Sequence, residues 1–188
     1  MSEYGVVTAP GTVRLERTLP GPIERVWSHL VDSEKRGTWL ATGEIEPRVG
    51  GRVEHVWRNN ALTPDDDPPP SKYADIAEVA RMEGRVTAYE PPRLLSYTWG
   101  GDPGERDSEV TFELSARGDE VLLVLTHRRL TTRDAMLGVA AGWHAHLEVL
   151  AARLAGRTPP GFWRTHNRLE TEYATRIPAG AEREAAGR

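Results

Sequence analysis

Cysteine is absent from the 188 residues. That removes disulfide scaffolds, thiolate zinc sites, iron–sulfur clusters and cysteine nucleophiles from consideration, and it fits a reducing compartment. Long apolar runs are missing too. No stretch approaches the roughly 20 residues that a bilayer span needs, so no membrane span is expected. The opening residues, MSEYGVVTAPGTVRLE, show no basic region followed by an apolar core; no secretory signal is expected and the reading is cytoplasmic. An excess of positive charge is also lacking: 24 Lys+Arg stand against 28 Asp+Glu, a net charge of −4, which argues against a nucleic-acid partner. What remains is the makeup of one ordinary domain with a tail, 38% hydrophobic and 28% charged. A chain of this length buries about 70% of its unfolded surface and needs no staple.

Several chemical signatures are missing as well. There is no G-x-S-x-G elbow, no dinucleotide fingerprint, no P-loop and no H-E-x-x-H, so neither a hydrolase triad nor a cofactor or metal is indicated. Asp65-Asp66-Asp67 lies among prolines without further spaced ligands and reads as a solvated loop, not a calcium site.

The periodicities are more informative. Residues 1–11 are small and polar and are expected to fray. From Val13 an apolar/polar alternation marks a strand. Gly21-Pro22 opens a helix whose stripe is Ile23, Val26, Trp27 and Leu30, and Ser33 is placed to cap a short second helix. Two strands are expected around Gly50-Gly51, over 41–49 and 52–58. Residues 59–74 contain three acids and four prolines and read as a long exposed loop. Strands follow over 76–89, with Gly84 as a bulge, then 94–99, 109–116 and 121–128, the last three as an antiparallel meander. Between the second and third of these, residues 100–106 read as a loop. Thr131 or Thr132 caps a long helix closed by Gly156, with the stripe Met136, Val139, Ala140, Trp143, Leu147, Leu150, Ala151 and Leu154. After Pro159-Pro160-Gly161, the spacing of Phe162, His166, Leu169 and Tyr173 predicts a further amphipathic helix, and the residues beyond Pro178 read as a disordered tail.

Strands next to strands imply an antiparallel sheet, and the long helix must bury its stripe on it. A strongly bent sheet around one helix leaves room for a cavity. His127 continues the face of Val121, Leu123 and Leu125, and His55 shares a face with Val53 and Trp57. Both point inward, as hydrogen-bonded core histidines or as polar handles for a ligand. His144 and His146, about 200° apart on a helix, cannot share a site and read as a solvated face. The short basic clusters Arg128-Arg129 and Arg164-Arg168 also read as solvated.

In order along the chain, Leu19–Trp27, Thr38-Trp39-Leu40, Val49–Val53, Gly84-Arg85-Val86 with Glu90–Trp99, Val124–His127 and Gly142–Leu147 resemble the START-type helix-grip superfamily (SRPBCC). Within it they resemble the bacterial branch named after the C-terminal domain of the activator of the ninety-kilodalton heat-shock protein's ATPase. The resemblance covers residues 13–155 and implies an α+β helix-grip fold: a curved antiparallel sheet wrapped around a long C-terminal helix, with two short helices after the first strand. The division expected is a flexible N-terminus (1–11), the helix-grip domain (12–156) and a C-terminal extension (157–188), partly helical and then disordered. The superfamily hosts lipid and hormone binders, polyketide cyclases and a co-chaperone domain, and one fold serving many functions is the general rule.

The leading expectation is a non-catalytic or marginally catalytic binder whose partner is a small hydrophobic, aromatic or lipid-like molecule held between sheet and helix. Trp39, His55, Trp57, Tyr97, Trp99, Phe112, Leu123, Leu125, His127, Trp143 and Leu147 are expected to line that cavity. A cyclase or hydratase in which Tyr97, His127 or His55 polarises a carbonyl or moves a proton is one alternative; a co-chaperone that stimulates an ATPase is another. The tail helix is read as covering the cavity mouth or as pairing two protomers in a homodimer.

Overall fold

Where the alternation is cleanest, the strands lie as the pattern requires. The computed structural model describes residues 3–100 and 108–182. Its strands are β1 (Val6–Ala9), β2 (Thr12–Pro20), β3 (Arg52–Trp57), β4 (Ala80–Glu90), β5 (Leu94–Trp99), β6 (Ser108–Arg117) and β7 (Glu120–Arg128). They form one curved seven-stranded sheet of order β1-β2-β7-β6-β5-β4-β3, antiparallel throughout. The helices are α1 (Ile23–Val31), α2 (Ser33–Gly37), α3 (Ala74–Ala77), α4 (Arg133–Leu154) and α5 (Phe162–Arg176).

Register aligns the inward rows. Val13 pairs with His127, Leu15 with Leu125 and Leu19 with Val121; on the other side of β7, Val110 pairs with His127, Phe112 with Leu125 and Leu114 with Leu123. Because strand side chains alternate with period two, these pairings put one continuous apolar floor on the concave face. α4 lies on that floor. Thr132 caps it by accepting from the Ala135 amide at 3.1 Å, and Gly156, at φ 65°, ends it in the left-handed conformation that favours glycine. The helix is buried on more than the expected stripe: Ala141, His144, Ala145 and Ala152 are also hidden, because α5 packs on its outer side. Phe162, His166, Leu169 and Tyr173 face inward from α5, as their spacing predicts.

Five expectations need correction. Residues 6–9 do not fray; they pair with β2 at the sheet edge. Residues 41–49 do not form a strand; only Thr42 and Ile45 bridge to β3, at Val56 and Val53. Buried Arg36 draws this segment across the end of α1, donating to Leu30 O and Val31 O at 3.1 Å each and to Gly43 O. Leu30 O and Val31 O are carbonyls that α1 leaves unpaired at its C-terminus. The cap of α2 is the Asp32 carboxylate, which accepts from the Lys35 amide at 2.9 Å, not Ser33. The irregularity in β4 falls between Val86 and Ala88, not at Gly84.

Finally, segment 59–77 is not merely a solvated loop. It carries short 3₁₀ turns at Asn59–Ala61 and Ser71–Tyr73, then α3, and it buries Leu62, Thr63 and Ala77. It is also tied to α5. Gly161 gives α5 no capping side chain, and the Asp66 carboxylate does that work from far along the chain, accepting from the Trp163 and Arg164 amides at 2.7 and 3.1 Å. Thr63 Oγ1 accepts from the Phe162 amide at 2.9 Å. A Cβ at position 161 would stand 2.5 Å from Asp66 Oδ1, so the close approach requires glycine there. Residues 101–106 of the expected loop and 183–188 of the expected tail lie outside the described residues.

Candidate ligand pocket

Two adjoining pockets of about 260 and 330 Å³ open where α4, α5, segment 59–77 and the ends of β3, β4 and β5 meet. They share Trp57, Tyr73, Trp99, Gly138, Gly142, His146 and His166. Trp143 and Leu40 complete the deeper part, and Ile76, Met82, Phe162 and Trp163 the outer part.

The floor is made by what α4 omits. Gly138, Gly142 and His146 follow one another at i, i+4, i+8, so they lie in one line along the helix. A glycine inside a helix costs about 1 kcal/mol relative to alanine. A Cβ at Gly142 would meet nothing within 4 Å, and one at Gly138 would meet only Tyr73 Oη, at 4.0 Å. No neighbouring atom therefore demands either glycine; the space beside them is the pocket.

The walls are aromatic. Trp99 lies 4.9 Å from Trp143 and 5.4 Å from Trp57 between ring centroids, and Tyr73 stacks on Trp163 at 5.7 Å and 25°. The roof is pinned: Tyr73 Oη donates to Glu170 Oε1 at 2.6 Å, Lys72 joins the same oxygen at 2.8 Å, and Trp163 Nε1 donates to Asn60 Oδ1 at 2.9 Å.

Beneath this surface the expected polar handles are held by hydrogen bonds, save His55 Nδ1, which is buried without a partner. Trp143 Nε1 donates to His127 Nδ1 at 3.0 Å. His127 is thereby fixed with its proton on Nε2, which meets Ser108 Oγ at 2.8 Å; the serine hydroxyl in turn donates to Trp99 O at 3.2 Å. Burial, with Arg129 adding to it, pushes His127 down to about 3, so it is neutral. His55 Nε2 pairs with Tyr97 Oη at 3.0 Å, and burial, with Arg36 and His146, pushes it down to about 3 as well. Burial raises Tyr97 above the usual range of a phenol.

Of the residues expected to line a cavity, Trp57, Trp99 and Trp143 meet at these pockets. Trp39, His55, Tyr97, Phe112, Leu123, Leu125, His127 and Leu147 are buried in the packing between sheet and α4 and line neither. These two pockets lie at the mouth of the grip, under α5. His146 and His166 were not foreseen. The expected solvated face is buried: His144 Nδ1 meets Tyr173 Oη at 2.9 Å, while His146 Nδ1 meets Trp39 O at 2.8 Å on the pocket side. The pair does diverge, as the 200° spacing demands. His166 was visible as part of the α5 stripe, and its i, i+4 relation to Phe162 was the available signal.

Glu3, His144 and Glu148 bring ligand-type atoms within 4.8 Å of one another. His144 Nε2 is already 3.2 Å from Glu148, and Arg168 lies 3.9 Å from the same carboxylate. With Arg17 also acting on Glu148, the group is balanced by guanidinium charge.

These features define a helix-grip protein: a curved antiparallel sheet closed on a long helix, with an aromatic pocket at one end. The family model described as "Activator of Hsp90 ATPase homolog 1-like protein" matches residues 20–155, and the chain belongs to that family. A Bordetella parapertussis protein solved by NMR, encoded by gene BPP1335, is 46% identical over 95% of this chain and 90% of its own, with a TM-score of 0.77. CalU16 from Micromonospora echinospora is 23% identical over 87% of this chain and 86% of its own, TM-score 0.64. DynU16, from the dynemicin biosynthetic locus, is 16% identical over 82% of this chain and 51% of its own, TM-score 0.57. A search of curated proteins finds no match.

Proposed function

We propose that the protein binds a small, flat, hydrophobic molecule in the pocket beneath α5, as a cytoplasmic carrier or sensor and not as an enzyme. The observation that carries this reading is the pair Gly138 and Gly142, which leave a void that alanine would fill without a clash. Helix stability is forgone there, and space between aromatic rings is gained. A flat ligand slid between Trp57, Trp99 and Trp143 would gain area and stacking at once. α5 serves as cover, since its apolar stripe is consumed inside the chain.

The residues named for a cyclase, Tyr97, His127 and His55, line neither pocket, and His127 has both ring nitrogens engaged.

The test is a panel of flat apolar aromatics read by thermal shift and by quenching of tryptophan fluorescence. A binder at 100 times its dissociation constant should add about 2.7 kcal/mol of stability. Gly142→Leu, which fills the floor, should abolish that gain while the variant stays folded. A panel without a single responder, or binding that survives in Gly142→Leu, would overturn the proposal.

A further inference from the structure

The pocket holds one polar atom whose chemistry is fixed by the fold. Trp39 O can only accept, so His146 Nδ1, 2.8 Å away, carries the ring proton. Burial pushes His146 down to about 4, with His166 acting in the same direction, so the ring is neutral near pH 7. Its Nε2 therefore presents a lone pair. That nitrogen has no hydrogen-bond partner among the described residues, yet the ring is only 6% exposed and borders both pockets. The ring cannot easily turn away, because it packs on Phe162 at 4.5 Å between centroids and is held by Trp39. It stands one helical turn beyond Gly142, at the end of the glycine floor.

Across from it stands His166, 5% exposed, with Nδ1 buried and unpartnered. Among the described residues, neither pocket is bordered by a carboxylate, a lysine or an arginine. An anionic ligand would find no lysine or arginine to meet its charge, only the His146 and His166 rings, the Asn59 amide and aromatic faces. A ligand lacking a donor would leave a buried acceptor dry, and an unmade buried hydrogen bond costs more than a made one returns.

We propose that His146 determines specificity in this pocket: its Nε2 accepts a hydrogen bond from the hydroxyl of a neutral phenolic ligand lying on Gly138 and Gly142. This rests on the pocket being a ligand site, and the experiment separates the two ideas. The probes are 2-naphthol, 2-methoxynaphthalene and naphthalene, measured by fluorescence titration against the wild type and His146→Phe.

In the wild type, 2-naphthol should bind about tenfold more tightly than either probe without a donor, the size of one buried hydrogen bond. In His146→Phe, naphthalene binding should persist and the preference for 2-naphthol should collapse about tenfold. An unchanged preference overturns the role of His146 and leaves the pocket standing. If none of the probes binds the wild type at all, the pocket reading falls and this inference falls with it. Should the variant fail to fold, nitrogen NMR of the intact protein decides. The His146 Nε2 resonance should be that of an unprotonated nitrogen and should move on addition of 2-naphthol but not of naphthalene. A protonated Nε2, or a resonance indifferent to both, overturns the proposal.

Discussion

His55, His127 and His146 are buried and held neutral at about 3, 3 and 4, against an ordinary value of 6.5. In each the folded value is depressed below the unfolded one. The unfolded chain therefore takes up protons first as pH falls, and stability present above 6.5 is lost below it. Below 6.5 each such group loses about 1.4 kcal/mol per pH unit, so lowering the pH from 7.5 to 5.5, one unit past that point, should remove about 4 kcal/mol in all. Urea midpoints across that range check this; a slope of fewer than one proton would show that these rings are not buried as described. Gly142→Ala belongs beside it. Restoring helix propensity without a clash should raise stability by about 1 kcal/mol, read as a higher urea midpoint at constant slope. The orientation of His127 was legible because strand alternation reaches every residue of β7 from its neighbours alone. The burial of His146 was not, because it depends on α5 and on the Trp39 carbonyl, 107 positions away.

Elements with long, regular periods were read correctly from the chain: β2, β5 to β7, α4 and α5. The failures share a cause. β1 is short and earns its place only by pairing with β2, and segment 41–49 has strand-like composition but is pulled aside by Arg36. Segment 59–74 looks disordered because its three acids and four prolines cannot pack by themselves. What orders it is the N-terminus of α5, whose unpaired amides and positive dipole end seek a carboxylate. Asp66→Ala should therefore cost about 1 kcal/mol, within the range for loss of a helix cap. Amide exchange should accelerate at Trp163 and Arg164 while β6 and β7 stay protected. Equal acceleration in the strands would show that Asp66 supports the whole fold and not this junction.

The architecture of the molecule followed from the order of its elements, whereas the position of its void did not. A bent sheet around one helix suggests a hollow between them; Phe112, Leu123, Leu125 and Leu147 are buried there, and the two aromatic pockets open further out, beneath α5. Void position is set by the sum of side-chain volumes from several elements, which no single periodicity encodes. Because α5 spends its apolar face on α4, the mass in solution should be that of one chain, 20.9 kDa, by sedimentation equilibrium. A doubled mass that persists on dilution would show a homodimer instead.

The carboxylate bridge from Asp66 to the start of α5 has a kinetic corollary. Trp163 and Tyr73 stack on one another, and the ties from Asp66, Asn60 and Tyr73 all join segment 59–77 to α5, so the roof parts only where that one seam opens. On the proposed binding role, guest exchange is gated by a single breathing event rather than by separate loop fluctuations. Loosening that junction should hasten arrival and departure in equal proportion, altering residence time while leaving the dissociation constant nearly where it was.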